Sequence, residues 1–153
     1  MALFLVQHGK SLPKEEDPGR GLSRQGIEET EAVAAMAAEQ SIQVSRIIHS
    51  GKKRALQTAE IFMKVLEPEF DLAKGPGLAP LDDVTSFPSI VDIQGNIMVV
   101  GHLPFMERLV SYLVIGSTET LVVKFQNSGI VCLDSVDDNQ SIFISGTIFP
   151  RLY

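Results

Sequence analysis

Leu3-Phe4-Leu5-Val6 is apolar at every position and then stops at Gln7-His8-Gly9. A strand with one wet face alternates, whereas an unbroken apolar run reads as an interior strand covered on both faces, as in a parallel sheet. The histidine closing the run then stands at a strand's carboxyl end, where open α/β sheets bind their ligands. Gly9 lets the backbone turn sharply and approach a ligand with no Cβ in the way.

The rest of the chain supplies the partners such a strand needs. Residues 10–21 are rich in Lys, Glu, Asp, Pro and Gly and read as an exposed loop. Ser23 is placed to cap a helix that runs to about residue 40, with Ile27, Thr30, Ala34 and Ala37 at helical spacing. Glu28, Glu29 and Glu31 fall in its early turns, on the side of the helix dipole they favour. Arg46-Ile47-Ile48-His49 reads as a second strand, and Ser50-Gly51 opens a second helix with Ala55, Ala59, Phe62 and Leu66 as its apolar stripe. Pro68 ends it. Between residues 68 and 95 prolines and acids interrupt any period. An edge strand over Asp71–Lys74, a loop through Asp83 and a short helix near 86–94 are expected there. Asn96 to Val100 is another unbroken strand, ending at Gly101-His102, and Pro104 suits the first turn of a helix that Gly116 stops. Two strands over 129–135 and 141–148 flank Asp137-Asp138-Asn139-Gln140 as a hairpin. The order predicts one α/β domain over residues 1–153, with a mostly parallel central sheet, helices on both faces and a C-terminal antiparallel hairpin.

With 44% hydrophobic and 21% charged residues the chain is globular. A net charge of −6 argues against a nucleic-acid or anionic-membrane surface, so an anionic ligand would need a locally basic pocket. One cysteine, Cys132, excludes an internal disulfide and a cysteine-rich metal site; in an apolar strand it reads as a small core residue. No run approaches a membrane span, and the N-terminal apolar run is too short for a secretory leader. A soluble, reducing, cytoplasmic setting is expected.

His8, Arg54 and His102 each lie just past a strand's carboxyl end. In a parallel sheet those ends share one edge, so residues far apart in sequence can converge there. Two helix N-termini, at Ser50 and Leu103-Pro104, would point N–H groups toward the same place and favour an anion. Arg54 adds a planar fork matched to phosphate oxygens. The histidines can divide the labour: a neutral imidazole is a competent nucleophile, and a protonated one stabilises charge on a transferred phosphoryl group. Taken singly, each residue has a plainer reading as a solvated or structural group. The three histidines show no metal-ligand spacing, so no metal or other cofactor is expected. His49 reads as structural.

Four blocks in order carry a resemblance: Leu5-Val6-Gln7-His8-Gly9, Leu22-Ser23-Arg24-Gln25-Gly26, Ser50-Gly51-Lys52-Lys53-Arg54-Ala55-Leu56-Gln57-Thr58-Ala59, and Val100-Gly101-His102-Leu103-Pro104. Together they resemble the histidine phosphatase (phosphoglycerate mutase-like) superfamily, and the short chain with its His-Leu-Pro block is similar to the compact SixA-type phosphohistidine phosphatases. The resemblance implies that His8 becomes phosphorylated, that Arg54 clamps the phosphoryl oxygens, and that His102 is the second histidine of the pocket. Gly9 matches the motif glycine. It further implies a phosphorylated partner, either protein-borne phosphohistidine or a small phosphorylated substrate.

Two departures stand out. The family opens with Arg-His-Gly, and Gln7 occupies the arginine position here. Gln7 can donate an N–H to phosphate but brings no charge. One charge-assisted hydrogen bond is worth about 1.5–3 kcal/mol, roughly ten- to a hundredfold in rate. Lys10, Arg20 or Lys53 could supply the charge, and Arg20 is the first choice because it precedes the Leu22-Ser23 block. Loss of turnover altogether, leaving a phospho-ligand binding module, is the alternative reading. The second departure is the leaving-group acid, for which Asp82 and Asp83 are the nearest candidates. A phosphohistidine substrate relaxes that need, because imidazole departs more easily than an alkoxide.

Overall fold

The computed structural model describes residues 2–136 and 141–151. The expected hairpin turn at Asp137-Asp138-Asn139-Gln140 lies outside them. Strand β1 (Ala2–Gln7) leads through the 10–21 loop to α1 (Arg24–Glu39), then β2 (Arg46–His49), α2 (Lys53–Leu66) and β3 (Ala73–Lys74). A 3₁₀ helix (Val84–Ser89) precedes β4 (Ile97–Gly101), α3 (Phe105–Ile115), β5 (Ile130–Val136) and β6 (Ser141–Ile148). The sheet runs β3-β2-β4-β1-β5-β6. Its first four strands are mutually parallel, while β5 and β6 close it in antiparallel fashion. This is the α/β architecture the sequence predicts.

The unbroken apolar runs have the expected cause. Along β1, Leu3 and Leu5 enter one core layer with Val99, Val131 and the α3 residues Phe105, Met106, Leu109 and Val110. Phe4 and Val6 enter the opposite layer with Val33, Ala34 and Ala37 of α1 and Ala55, Ala59 and Phe62 of α2. Successive residues of one strand thus feed two dry layers. Phe62 and Phe105 are fully buried, each stabilising the fold by roughly 1.5–3 kcal/mol.

Several local expectations shift. The buried stripe of α1 is Gly26, Thr30, Val33, Ala34 and Ala37, and Ile27 is 39% exposed. Ser23 does cap α1, its Oγ accepting from Gly26 N at 3.0 Å. The glutamates sit past the first turn. Glu28 pairs with Arg24 and Glu29 with Arg151 instead of serving the dipole. Helix α2 begins at Lys53, because Ser50 and Gly51 form a turn in which Gly51 N donates to His49 Nδ1 at 3.0 Å. The edge strand shrinks to Ala73–Lys74, and the short helix is a 3₁₀ turn over 84–89 with Pro88 inside it. A proline lacks the N–H that an α-helix interior would use, so the tighter turn is what remains. Cys132 lies in β5 opposite Phe4. Burial pushes its thiol up to about 11, leaving it unreactive.

Among the described residues no helix is long and apolar enough to cross a membrane.

Candidate active site

The parallel pairing of β1 with β4 places Gln7 opposite Gly101, so the residues that follow, His8 and His102, emerge side by side at the carboxyl edge. Both continue the side-chain alternation toward the α1/α2 layer, after Phe4 and Val6 on one strand and Met98 and Val100 on the other. Their ring centroids are 5.0 Å apart. Arg54, in the first turn of α2, reaches the same place, and its Nε donates to His8 Nε2 at 3.3 Å. The three residues read from the sequence therefore converge.

The tautomer of His8 follows from its neighbours. Nδ1 lies 2.7 Å from the Gly9 carbonyl, which can only accept. The proton therefore sits on Nδ1, and Nε2 keeps its lone pair toward Arg54. Burial pushes the His8 imidazole down to about 4; the bond to Gly9 opposes that, and the charges of Arg54 and Arg20 reinforce it. At neutral pH the ring is uncharged with an unprotonated nitrogen facing a cationic partner, the form in which an imidazole can act as a nucleophile.

His102 is built differently. It is 1% exposed, its Nε2 lies 2.5 Å from Ser50 Oγ, and its Nδ1 is buried with no partner. Burial first, then the proximity of His8, Arg54 and Lys52, holds it down to about 3. The protonated imidazole expected from sequence is therefore not the resting form. A phosphoryl dianion beside the ring would reverse that balance, since an opposite charge within about 4–6 Å favours the charged form.

The unfolded chain titrates both histidines near 6.5, whereas the folded chain holds them lower. Between those values the unfolded state binds more protons, so stability is full above about pH 6.5 and falls as pH drops toward 4. For His8 alone the expected loss between pH 7.5 and pH 5 is about 2 kcal/mol. Urea unfolding at the two pH values measures it.

Arg20, the first candidate for the charge missing at Gln7, belongs to this neighbourhood. Its charge lowers both His8 and Arg54, the latter after burial. Its Nη2 donates to Ser11 Oγ at 3.3 Å, and its Nε is buried without a partner. The other two candidates are engaged at the surface: Lys10 donates to Gln25 at 3.1 Å and Lys53 pairs with Asp17 at 2.8 Å. Gln7 itself buries its Oε1 with no partner.

Gly9 does something other than approach a ligand. Its N–H is taken by Thr58 Oγ1 at 2.9 Å, and a Cβ there would lie 2.8 Å from Thr30 Oγ1. Gly26 is its counterpart, where a Cβ would meet the Lys10 carbonyl at 2.2 Å. The two glycines let the chain leaving β1 pass directly over the first turn of α1. Asp82 and Asp83 serve local turns, Asp82 accepting from Ala79 N at 2.8 Å and Asp83 capping the 3₁₀ helix through Thr85 N at 2.9 Å. The side-chain bond from Thr85 comes first in holding Asp83 below the usual carboxylate range, which makes it a poor proton donor.

Sequence reasoning passed over Thr58, Asn127 and Ser128, and gave Ser50 only a place at the start of a helix. Ser50 bonds His102, and Thr58 bonds the Gly9 amide. Asn127 Nδ2 donates to the His8 carbonyl at 2.9 Å, and Ser128 N donates to the Gln7 carbonyl at 2.9 Å. The signals were a threonine inside the apolar stripe of α2 and the turn-forming run Asn127-Ser128-Gly129.

The family description of the histidine phosphatase superfamily (branch 1) matches residues 3–79, half of the chain. The chain belongs to the histidine phosphatase superfamily. Within it the chain is of the SixA type. It is 28% identical over 124 residues to phosphohistidine phosphatase SixA of Escherichia coli (strain K12), covering 77% of each chain. The structure of the protein histidine phosphatase SixA complexed with tungstate superposes with a TM-score of 0.79 at 24% identity, covering 98% of this chain and 97% of that one. The α-ribazole phosphatase of Shigella flexneri shares the fold at a TM-score of 0.72 and 12% identity, over 100% and 98% of the two chains. For a histidine phosphatase, Gln7 in place of the motif arginine is the feature of this site that needs a physical account.

Proposed function

We propose that this histidine phosphatase hydrolyses phosphoryl groups through a phospho-His8 intermediate and that protein-borne phosphohistidine is its preferred substrate, small phosphorylated compounds being second. The observation that carries the reading is the guanidinium of Arg54 at 3.3 Å from the unprotonated Nε2 of His8, with His102 alongside.

The lone pair on His8 Nε2 attacks phosphorus, a P–N bond forms, and the bond to the leaving group breaks. Arg54, Arg20 and an imidazolium at His102 meet the charge on the phosphoryl oxygens. Water then attacks the phospho-imidazole, releasing phosphate and restoring Nε2. Asp82 and Asp83 are bound up in turns, so a substrate whose leaving group departs with little acid assistance suits the site. Imidazole is such a group when the other ring nitrogen of the phosphohistidine carries a proton, so that the ring leaves neutral; with a pKa near 6.5 that nitrogen takes up a proton readily. The names of the SixA relatives, which describe protein histidine phosphatases, support the same substrate class. The cytoplasm is the setting this reading implies.

Release of phosphate from phosphoramidate and from a histidine-phosphorylated protein tests the proposal. The rate is expected to be unchanged by chelators, because protein cations meet the charge. No turnover on any phosphodonor overturns it. Gln7 favours a second reading, a phospho-ligand binding module, whose mark is tungstate or phosphate binding without turnover. Gln7→Arg separates the two. In a weakened enzyme the new charge-assisted bond raises kcat/KM by about tenfold or more, whereas a binding module stays silent in both forms.

A further inference from the structure

Four hydrogen bonds close a ring around the candidate nucleophile. Arg54 Nε donates to His8 Nε2 at 3.3 Å, and His8 Nδ1 donates to the Gly9 carbonyl at 2.7 Å. The Gly9 amide donates to Thr58 Oγ1 at 2.9 Å, and the Thr58 hydroxyl donates to the Arg54 carbonyl at 2.7 Å. The hydroxyl is thus donor to α2 and acceptor from the turn after β1.

A threonine bonding the carbonyl four residues back is common in helices and by itself means little. The Gly9 amide makes this one different. Thr58 is wholly buried, and its oxygen is the acceptor for a peptide N–H from another element, 49 residues away in sequence. That bond holds the His8–Gly9 peptide and the Gly9 Cα against α2; the Gly9 carbonyl, in the next peptide, hangs from that Cα, and the Lys10 carbonyl beyond it accepts from Ser23 N at 2.9 Å. The Gly9 carbonyl decides which nitrogen of His8 carries the proton. The same oxygen also ties the turn to the backbone of Arg54, so the spacing between nucleophile and guanidinium passes through one atom.

We propose that Thr58 is a positioning residue for the phosphoryl-transfer step. Through Gly9 it holds the His8 proton on Nδ1, leaving Nε2 free at Arg54. The kinetic part rests on His8 being the nucleophile, whereas the tautomer does not.

The test compares Thr58→Val, which keeps the shape and loses both bonds, with Thr58→Ser, which keeps the hydroxyl. Nitrogen-15 NMR of the His8 ring above pH 7 reads the tautomer, and steady-state hydrolysis of phosphoramidate reads the rate. Wild type and Thr58→Ser are expected to show the Nδ1–H form. Thr58→Val is expected to shift toward Nε2–H, with kcat lower by about tenfold and KM within about twofold, since only the fraction with a free Nε2 can attack. A wild-type ring protonated on Nε2 overturns the proposal without any variant, which guards against a Thr58→Val chain that fails to fold. An unchanged tautomer in folded Thr58→Val, or a Thr58→Ser protein as impaired as Thr58→Val, overturns it as well. A wild type with the Nδ1–H form but no turnover on any phosphodonor sinks the catalytic reading and with it the kinetic role of Thr58, leaving only the hydrogen-bond geometry.

Discussion

His8→Ala is expected to abolish both turnover and covalent labelling. Brief incubation of the wild type with a labelled phosphodonor should leave label that survives alkali and is lost in acid, as a phosphoramidate bond requires; the variant should carry none. The two rings differ in what they offer a phosphoryl group. His102 has its Nε2 against Ser50 and its Nδ1 sealed from solvent, so neither nitrogen can approach phosphorus in line. His8 Nε2 is unprotonated, and its only hydrogen bond among the described residues is the long one from Arg54 Nε at 3.3 Å, which an arriving phosphoryl group would replace. The main chain at residue 8 stays anchored without the imidazole, because His8 N donates to Gly101 O at 3.0 Å and its carbonyl accepts from Asn127. The variant should therefore fold. It should also lose less stability than the wild type between pH 7.5 and pH 5, since one depressed histidine is gone. Equal label on both proteins would end the covalent mechanism, and label that persists in His8→Ala but vanishes in His102→Ala would exchange the two roles.

The convergence behind that prediction was legible because it depends only on strand ends. A run apolar at every position demands two covered faces, and parallel strands then share a carboxyl edge. His8 and His102 follow from that geometry once each is seen to close such a run. Arg54 was readable from its place one turn after β2. The missed parts were of another kind. Ser50-Gly51 read as the opening of a helix, because it stands just before a helical stripe; the Ser50 hydroxyl instead went to His102, a partner 52 residues distant. Gly9 was read as room for a ligand, and the room turned out to be for Thr30 and the first turn of α1. Asn127 and Ser128 lie in a stretch with no period, and only the folded chain brings it under the Gln7 and His8 carbonyls. Periodicity reports which face of an element is dry. It is silent on which distant backbone atom a buried polar side chain will find.

Arg54→Ala should cost nearly as much as removing the nucleophile. Its guanidinium is the one cation in direct hydrogen-bond contact with His8 Nε2 among the described residues, so it lies where the transferred group must sit. Burial and the nearby charge of Arg20 lower its pKa, yet an arginine stays protonated at any working pH. Two charge-assisted bonds to phosphoryl oxygens, each worth about 1.5–3 kcal/mol, make the expected loss in kcat/KM roughly 10²- to 10⁴-fold. In a site with a full set of arginines part of that loss could be absorbed by a neighbour. Here Gln7 contributes no charge and Arg20 must serve alone, so the effect should lie toward the upper end. Arg54→Lys should recover little, because a single ammonium cannot reproduce a planar fork. The comparison is best made in the Gln7→Arg background as well. If restoring the motif arginine softens the Arg54→Ala defect by tenfold or more, the two positions share the load on one phosphoryl group. If the defects simply add, residue 7 and Arg54 act on different atoms, and the charge missing from residue 7 was never part of the clamp.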